Sequence, residues 1–387
     1  MAARSIVTLE DQRVTFVELF FDLVFVFSVT QVVGLVHHRF DWGGVGQGVL
    51  VFWLVWWAWT QFTWALNPAD TTHPLVELGV LVATGIAFFM AVAVPRAFAG
   101  HGLAFAIPYV LVRVTGLALY GWVASAADRA QHAAVRRFSI VSIGGLAAAL
   151  LGGWVGGAAQ YWLWGLTILL DVVAAGIGGQ AEGWNLRPEH FGERHGLFVI
   201  IALGETLIVA AGGAAEGEWT ARLKVVAMLA VAVSGALWWS YFSRAKPQLD
   251  HALAAARGAA QSMMGRDVGS LAHFPMLCGV IAYALAVGDA ISHPAAPLLV
   301  QSRVALAAGI VLFVGGMGVA LLRATGRLPL PRMLLAAVAG VAVAVVAGVG
   351  AWLSFAIALV AVGIIGALEE REVPSTTTRA PPAGARE

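Results

Sequence analysis

Glu18 and Asp22 stand four residues apart inside the apolar run 13–31, RVTFVELFFDLVFVFSVTQ. In a helix this spacing stacks two carboxylates on one face, one turn from each other. Such a pair can pass a proton, hold a cation or act as an acid/base couple. Acids within an apolar span are costly and face a bundle interior or a water-filled path. Three further acids, Glu77, Asp171 and Glu205, sit in other apolar runs, and Arg113 is the one strong base read as span-embedded. Five acids against one base cannot all be ionised and paired, so the excess must be protonated, hydrated or cation-bound. The imbalance favours handling of protons or cations over the plainer alternative, a hydrogen-bonded network that orients helices. Glu77 is the acid best placed to reach a membrane surface with its side chain. An unpaired Arg113 at mid-span would cost about 2.5–3.5 kcal/mol. It is therefore expected to pair with Asp171, Glu205 or Asp22.

A second polar group lies in the stretch 189–206, EHFGERHGLFVIIALGET. Here a charged loop runs into an apolar run that starts near residue 195. His190, Glu193, Arg194 and His195 are read as a polar site at the cytoplasmic interface. Gly204 would let another backbone come close to Glu205. The helical His-Glu-x-x-His arrangement is absent, so no metal site is expected, and no cofactor motif is present. No catalytic residue is assigned. His273 and Asp289 fall nearer the membrane surfaces. Trp53, Trp56, Trp57, Trp59 and Trp64 run through mid-span, whereas interfacial Trp residues gather at span ends. Packing between helices is the favoured reading for them, with cavity lining as the alternative.

The elements that carry these residues are membrane helices. Of 387 residues, 60% are hydrophobic and 12% charged, and the mean hydropathy is +0.83. Soluble domains carry about 25% charged residues. The fold class expected is all-α, a polytopic integral membrane bundle of about 12 transmembrane helices. Approximate spans are 14–37, 44–66, 75–95, 102–123, 138–156, 159–179, 195–213, 221–243, 268–289, 300–322, 331–350 and 352–368. Continuous rather than alternating apolar runs disfavour a β-barrel. Lys and Arg fall 17 on one side and 5 on the other, with Arg113 inside a span. By the positive-inside rule both termini are cytoplasmic, and the chain is expected to be a multi-pass protein of the cell (inner or cytoplasmic) membrane. The domains read as a cytoplasmic N-terminus (1–13), a transmembrane unit (14–368) and a disordered cytoplasmic tail (369–387). A six-plus-six repeat, 14–179 and 195–368, is a weak expectation. The stretch 244–267 is read as the longest internal loop, carrying a short surface helix.

The segment 1–11 is polar, and the first apolar run is of span length and acid-bearing, unlike a cleavable leader. The single cysteine, Cys278, lies in an apolar run and cannot form an intrachain disulfide. Basic residues are scattered over short loops, which argues against nucleic acid as a partner. The expected partners are the bilayer and a small solute, proton or cation, with a homo-oligomer left open.

The run Glu18-Leu-Phe-Phe-Asp22-Leu-Val-Phe-Val-Phe resembles the opening motif of the bacterial low temperature requirement A family. The segment Glu193-Arg-His-Gly-Leu-Phe-Val-Ile-Ile-Ala-Leu-Gly-Glu205 is similar to that family's second motif. The Trp53–Trp64 stretch and the span with His273 also look like it, and the resemblance covers roughly residues 12–368. Thr206 stands where the family commonly has Ser, keeping the hydroxyl. The resemblance implies an integral membrane protein of a family named for growth at low temperature, and it supplies no molecular activity.

From the residues, the favoured function is a secondary transporter or channel-like protein for a small solute or ion, with the embedded carboxylates Glu18, Asp22, Asp171 and Glu205 forming the ion or proton pathway. No Gly-x-x-x-x-Gly-Lys-Ser/Thr loop is present to drive it with ATP. The rival is a membrane-embedded enzyme acting on a lipid or polyprenyl substrate. It lacks an Asp-rich motif and a basic cluster for pyrophosphate. A third class is a structural or sensory protein for cold adaptation.

Overall fold

The computed structural model describes residues 5–8, 12–127, 129–179, 186–216 and 218–371. Of the expected tail 369–387, residues 372–387 lie outside this set. The described residues form no strand, only the isolated bridges Val7–Ala69 and Pro297–Gly350. The helices are α1 (Phe16–His38), α2 (Trp42–Leu66), α3 (Pro74–Ala93), α4 (Gly102–Ala127), α5 (Arg129–Val155), α6 (Gly157–Gly179) and α7 (Pro188–Glu216). They continue as α8 (Ala221–Ser240), α9 (Lys246–Ala255), α10 (Gly258–Met264), α11 (His273–Ser292), α12 (Val300–Thr325), α13 (Leu330–Val345) and α14 (Ala351–Arg371).

Ten helical stretches are long and apolar enough to cross a bilayer, and two shorter apolar ones follow, Leu330–Val345 and Ala351–Ala367. The chain is thus all-helical with multiple membrane helices. Short turns separate neighbours where the sequence suggests weak boundaries. Gly156 and Gly157, both at positive φ, end α5 and start α6. Only such residues take this conformation without strain.

Two boundaries differ from the sequence reading. First, 244–267 holds two short helices, α9 and α10, with an extended break at Ala256 and Arg257, where the sequence suggests a loop with one short surface helix. A π-helical turn, Tyr241–Ala245, carries α8 into α9, and a second, Gly265–Ala272, carries α10 into α11. The stretches Ala221–Ala255 and Gly258–Ser292 are each 35 residues long. At 1.5 Å per residue each spans about 52 Å, well beyond a hydrocarbon core of about 30 Å. The charges of this segment lower its hydropathy but leave its helix propensity intact. Leu249 and Leu253 are buried beneath it. Second, α7 begins at Pro188, one to two turns before the apolar run, so His190, Glu193, Arg194 and His195 are all helical.

α1 packs on α2, α3 and α7, while α11 and α12 form one of the closest pairs. A Cβ placed on Gly279 would meet the Gly309 carbonyl oxygen at 2.8 Å, so the α11 and α12 backbones touch there. Small residues at such crossings are how membrane helices gain contact where no hydrophobic force separates protein from lipid.

Candidate functional site

The site grows from the start of α1. Thr15 is the N-cap, and its backbone N–H and hydroxyl donate to Glu18 Oε2 at 3.0 and 2.9 Å. This contact fixes one oxygen of Glu18 at the helix entrance. One turn on, Asp22 lies on the same face. Both acids are fully buried.

What faces them comes from α7. Arg194 is fully buried and forks between the two acids. Its Nη2 donates to Asp22 Oδ1 at 2.5 Å, and its Nη1 lies 3.4 Å from Glu18 Oε1. The guanidinium carbon sits 5.5 Å from the Trp59 ring centre and 6.0 Å from that of Phe21. It is thus held by cation–π contacts as well as by charge. His190, one turn earlier on α7, places Nε2 3.0 Å from Glu18 Oε1. The Asn67 side-chain amide approaches His190 Nδ1 at 3.4 Å. With Asn67 donating there, the imidazole proton sits on Nε2 and points at Glu18. From α2, the Trp59 indole N–H donates to Asp22 Oδ1 at 2.7 Å.

This arrangement corrects the count of buried charges. Arg194 is not a loop residue at the interface but a second buried base, aimed at the two acids that the sequence left in excess. Arg332, also buried, is a third; it donates to the Ser240 hydroxyl at 3.0 Å. The cluster itself still does not balance. Two carboxylates face one guanidinium, and the fourth ionisable member is an imidazole. Among the described residues, Asp22 Oδ2 and Arg194 Nε are buried with no hydrogen-bond partner. One added proton, or one bound cation, would neutralise the set.

Arg113 takes Asp171 of the three candidate partners, at 3.0 Å, with both side chains about 1% exposed. Its Nη1 donates to the Tyr109 hydroxyl at 2.7 Å, and its Nε donates to Gln61. The Trp53 indole lies beside Asp171 without a well-aligned hydrogen bond. This second buried pair joins α4 to α6. It matches one base to one acid, and Asp171 Oδ2 is left buried without a hydrogen-bond partner among the described residues.

Glu205 stands apart from both clusters. It lies eleven residues beyond Arg194 on α7, about 16 Å along the axis. It is 6% exposed, and among the described residues it has no hydrogen bond or ion pair. Its neighbour Thr206 is bonded to the Ser234 hydroxyl at 2.9 Å, tying α7 to α8. A Cβ on Gly204 would meet nothing within 4 Å, so no backbone approaches there, contrary to expectation. Glu193 is half-buried and accepts from the Val14 backbone N–H at 3.1 Å, which ties α7 to the entrance of α1. Glu77 sits in the first turn of α3, where the helix dipole favours a carboxylate.

His195 points away from the acids. Its Nδ1 donates to the Phe191 carbonyl at 2.8 Å. His273 does the same toward Val268 at 2.8 Å, and its Nε2 accepts from the Tyr241 hydroxyl at 2.8 Å. The two rings are 5.1 Å apart, under the π-helical turns that flank α9 and α10. Trp59 separates this group from Asp22, with its ring 5.1 Å from that of His195. Among the described residues no three His, Cys, Asp or Glu side chains converge as metal ligands.

The sequence analysis missed three participants. For Trp59 the sequence offers packing or cavity lining, and not a hydrogen bond to Asp22. Asn67 was not singled out. Arg194 was noticed but not matched to Glu18 and Asp22. The available signal for Trp59 was its mid-span position, where a buried indole N–H must find an acceptor.

The family model described as bacterial low temperature requirement A protein (LtrA) matches residues 13–367. An uncharacterized protein, RA0937 of Rhizobium meliloti (strain 1021), is 26% identical over 330 residues, covering 79% of this chain and 76% of that protein. No solved structure matches.

Proposed function

The chain belongs to the bacterial low temperature requirement A family, and we propose that it is a secondary transporter of a small solute or ion, coupled to protons or cations through the Glu18–Asp22–Arg194–His190 cluster. One observation carries this reading. Four buried ionisable groups from α1 and α7 hold two negative charges against one fixed positive charge. Arg194 remains charged under all ordinary conditions, so the cluster has room for one exchangeable proton or cation. A purely structural network would be expected to close its balance, as Arg113 and Asp171 do.

In the proposed cycle the cluster binds its proton or cation when open to the cytoplasm. Binding weakens the hold of Asp22 on Arg194 and frees α1 to move against α7. Glu205, buried and unpaired deeper along α7, is the second station on the same polar path. Asp171 stays with Arg113 as a fixed strut. We assign twelve crossings, counting α13 and α14, with both termini cytoplasmic in the cell membrane. Leaving out the buried Arg194 and Arg332, the 17 basic residues on the cytoplasmic side become 15 against 5, and that bias supports the orientation.

Infrared difference spectra of the reconstituted protein across about pH 4 to pH 9 test the assignment. A carboxyl or imidazole band that titrates in the parent should disappear or shift in Glu18→Gln, Asp22→Asn or His190→Gln. A parent spectrum with no such band, in the presence and absence of sodium and potassium, would show the cluster to be inert.

A further inference from the structure

A groove of about 430 Å³ opens on the lipid-facing side between α1, α2, α11 and α12. This is within the size range of small-molecule sites. Its walls are apolar, with Val36, Phe52, Ile281, Val304 and Leu312 among them. Polar side chains enter only at one end. Asp41 caps α2, accepting from the Gly44 N–H at 2.8 Å, and Gln301 is the second residue of α12.

The depth of the groove identifies its occupant. From Asp41 to Phe52 along α2 is eleven residues, and from Gln301 to Leu312 along α12 is also eleven. Both give about 16 Å, half of a hydrocarbon core of about 30 Å. The groove is one leaflet deep, apolar below and polar at the surface. At the mouth, Arg39 donates from Nε to Asp41 Oδ2 at 3.0 Å, and both side chains are more than half exposed. The Gly44 N–H and the Arg39 guanidinium hold the Asp41 carboxyl below its usual range, so it stays ionised. An exposed cation and anion side by side complement a headgroup that carries both signs. Trp42, 82% exposed, marks the same level as an interfacial anchor.

We propose that this groove is a specific lipid site, holding one acyl chain of a zwitterionic phospholipid with its phosphate at Arg39 and its ammonium at Asp41. The inference is independent of the transport reading. Cys278, half-buried and lining the groove, supplies a built-in reporter.

The test is lipid retained by the full chain purified in detergent, measured by mass spectrometry, against Ala308→Phe and Ala282→Phe. Each variant fills the groove from a different wall, so a folding defect in one does not remove the test. The parent should retain about one phosphatidylethanolamine per chain, and each filled variant that elutes as a single species should lose about five-fold or more. Reaction of Cys278 with an apolar maleimide should be slow in the parent and fast after lipid is stripped. Arg39→Ala should keep an acyl chain but lose the preference for phosphatidylethanolamine over free fatty acid. Equal retention in parent and filled variants would overturn the site. So would efficient joining of two copies through Cys278 by a thiol cross-linker, which would give the groove to a second copy. An unchanged headgroup preference in Arg39→Ala would overturn the headgroup assignment.

Discussion

Arg194 Nη2 lies 2.5 Å from Asp22 Oδ1, with both side chains fully buried and 172 positions apart along the chain. That contact binds the first helix to the seventh, and the two motifs at either end of it are the most distinctive in the sequence. A buried ion pair adds little net stability, because desolvation offsets most of its Coulomb energy. Removing one partner alone is costly, because the other is left charged and uncompensated.

Arg194→Ala should therefore destabilise the protein by about 3–5 kcal/mol. Adding Glu18→Gln and Asp22→Asn to it should recover a substantial part of the loss. Thermal unfolding in detergent, read by intrinsic Trp fluorescence or by loss of the monodisperse peak, measures both. Simple additivity of the three substitutions would show that the fork between the acids contributes nothing.

Arg113 and Asp171 should behave as a structural pair. Arg113→Ala and Asp171→Asn are each expected to lower stability, with a coupling of about 0.5–3 kcal/mol in the double-mutant cycle. Where the protein is still folded, the proton or cation response should be retained in Asp171→Asn and lost in Asp22→Asn. Loss in both to the same degree would place Asp171 on the path.

Trp59→Phe keeps an aromatic ring beside Arg194 but removes the N–H that Asp22 accepts. A hydrogen bond to a charged group contributes about 1.5–3 kcal/mol. Trp59→Phe should therefore lower stability by about that amount, and Asp22→Asn in the same background should cost less than it does in the parent. Thermal unfolding in detergent measures both. Strict additivity of the two substitutions would make the indole N–H irrelevant to the site.

The orientation can be checked by single cysteines in a Cys278→Ala background. Arg136→Cys and Arg257→Cys, both at exposed positions, should react with a membrane-impermeant maleimide only after the cells are opened. His101→Cys and Glu218→Cys, also exposed, should react in intact cells whose outer barrier is permeable. The reverse pattern would invert the topology and place the Glu18 end of the path on the outside.

Much of this architecture was legible because membrane helices announce themselves by length and continuous apolarity. The same-face placement of Glu18 and Asp22 followed from helical spacing alone. Their partner did not follow, because Arg194 sits beside charged residues that lower local hydropathy and shift the apparent start of the span. A helix can begin before its apolar run, and here α7 does so by seven residues, from Pro188 to His195. The segment 244–267 is more helical than its charges suggest: Lys, Arg and Asp residues lower its hydropathy, while α9 and α10, on either side of the break at Ala256 and Arg257, join α8 and α11 through π turns. Pairings across the bundle, such as Trp59 with Asp22 or Arg332 with Ser240, depend on helix rotation, which composition does not encode.

The most direct measurement is proton movement in sealed vesicles containing the purified protein and an internal pH-sensitive dye, screened over ions and small solutes. At least one solute or ion gradient should drive a pH change in parent vesicles. Asp22→Asn and Glu205→Gln, inserted and folded to the parent level, should abolish it, because each removes a station for the moving charge. If both neutral variants give the parent response, the buried acids are structural, and coupling through the α1–α7 cluster is contradicted.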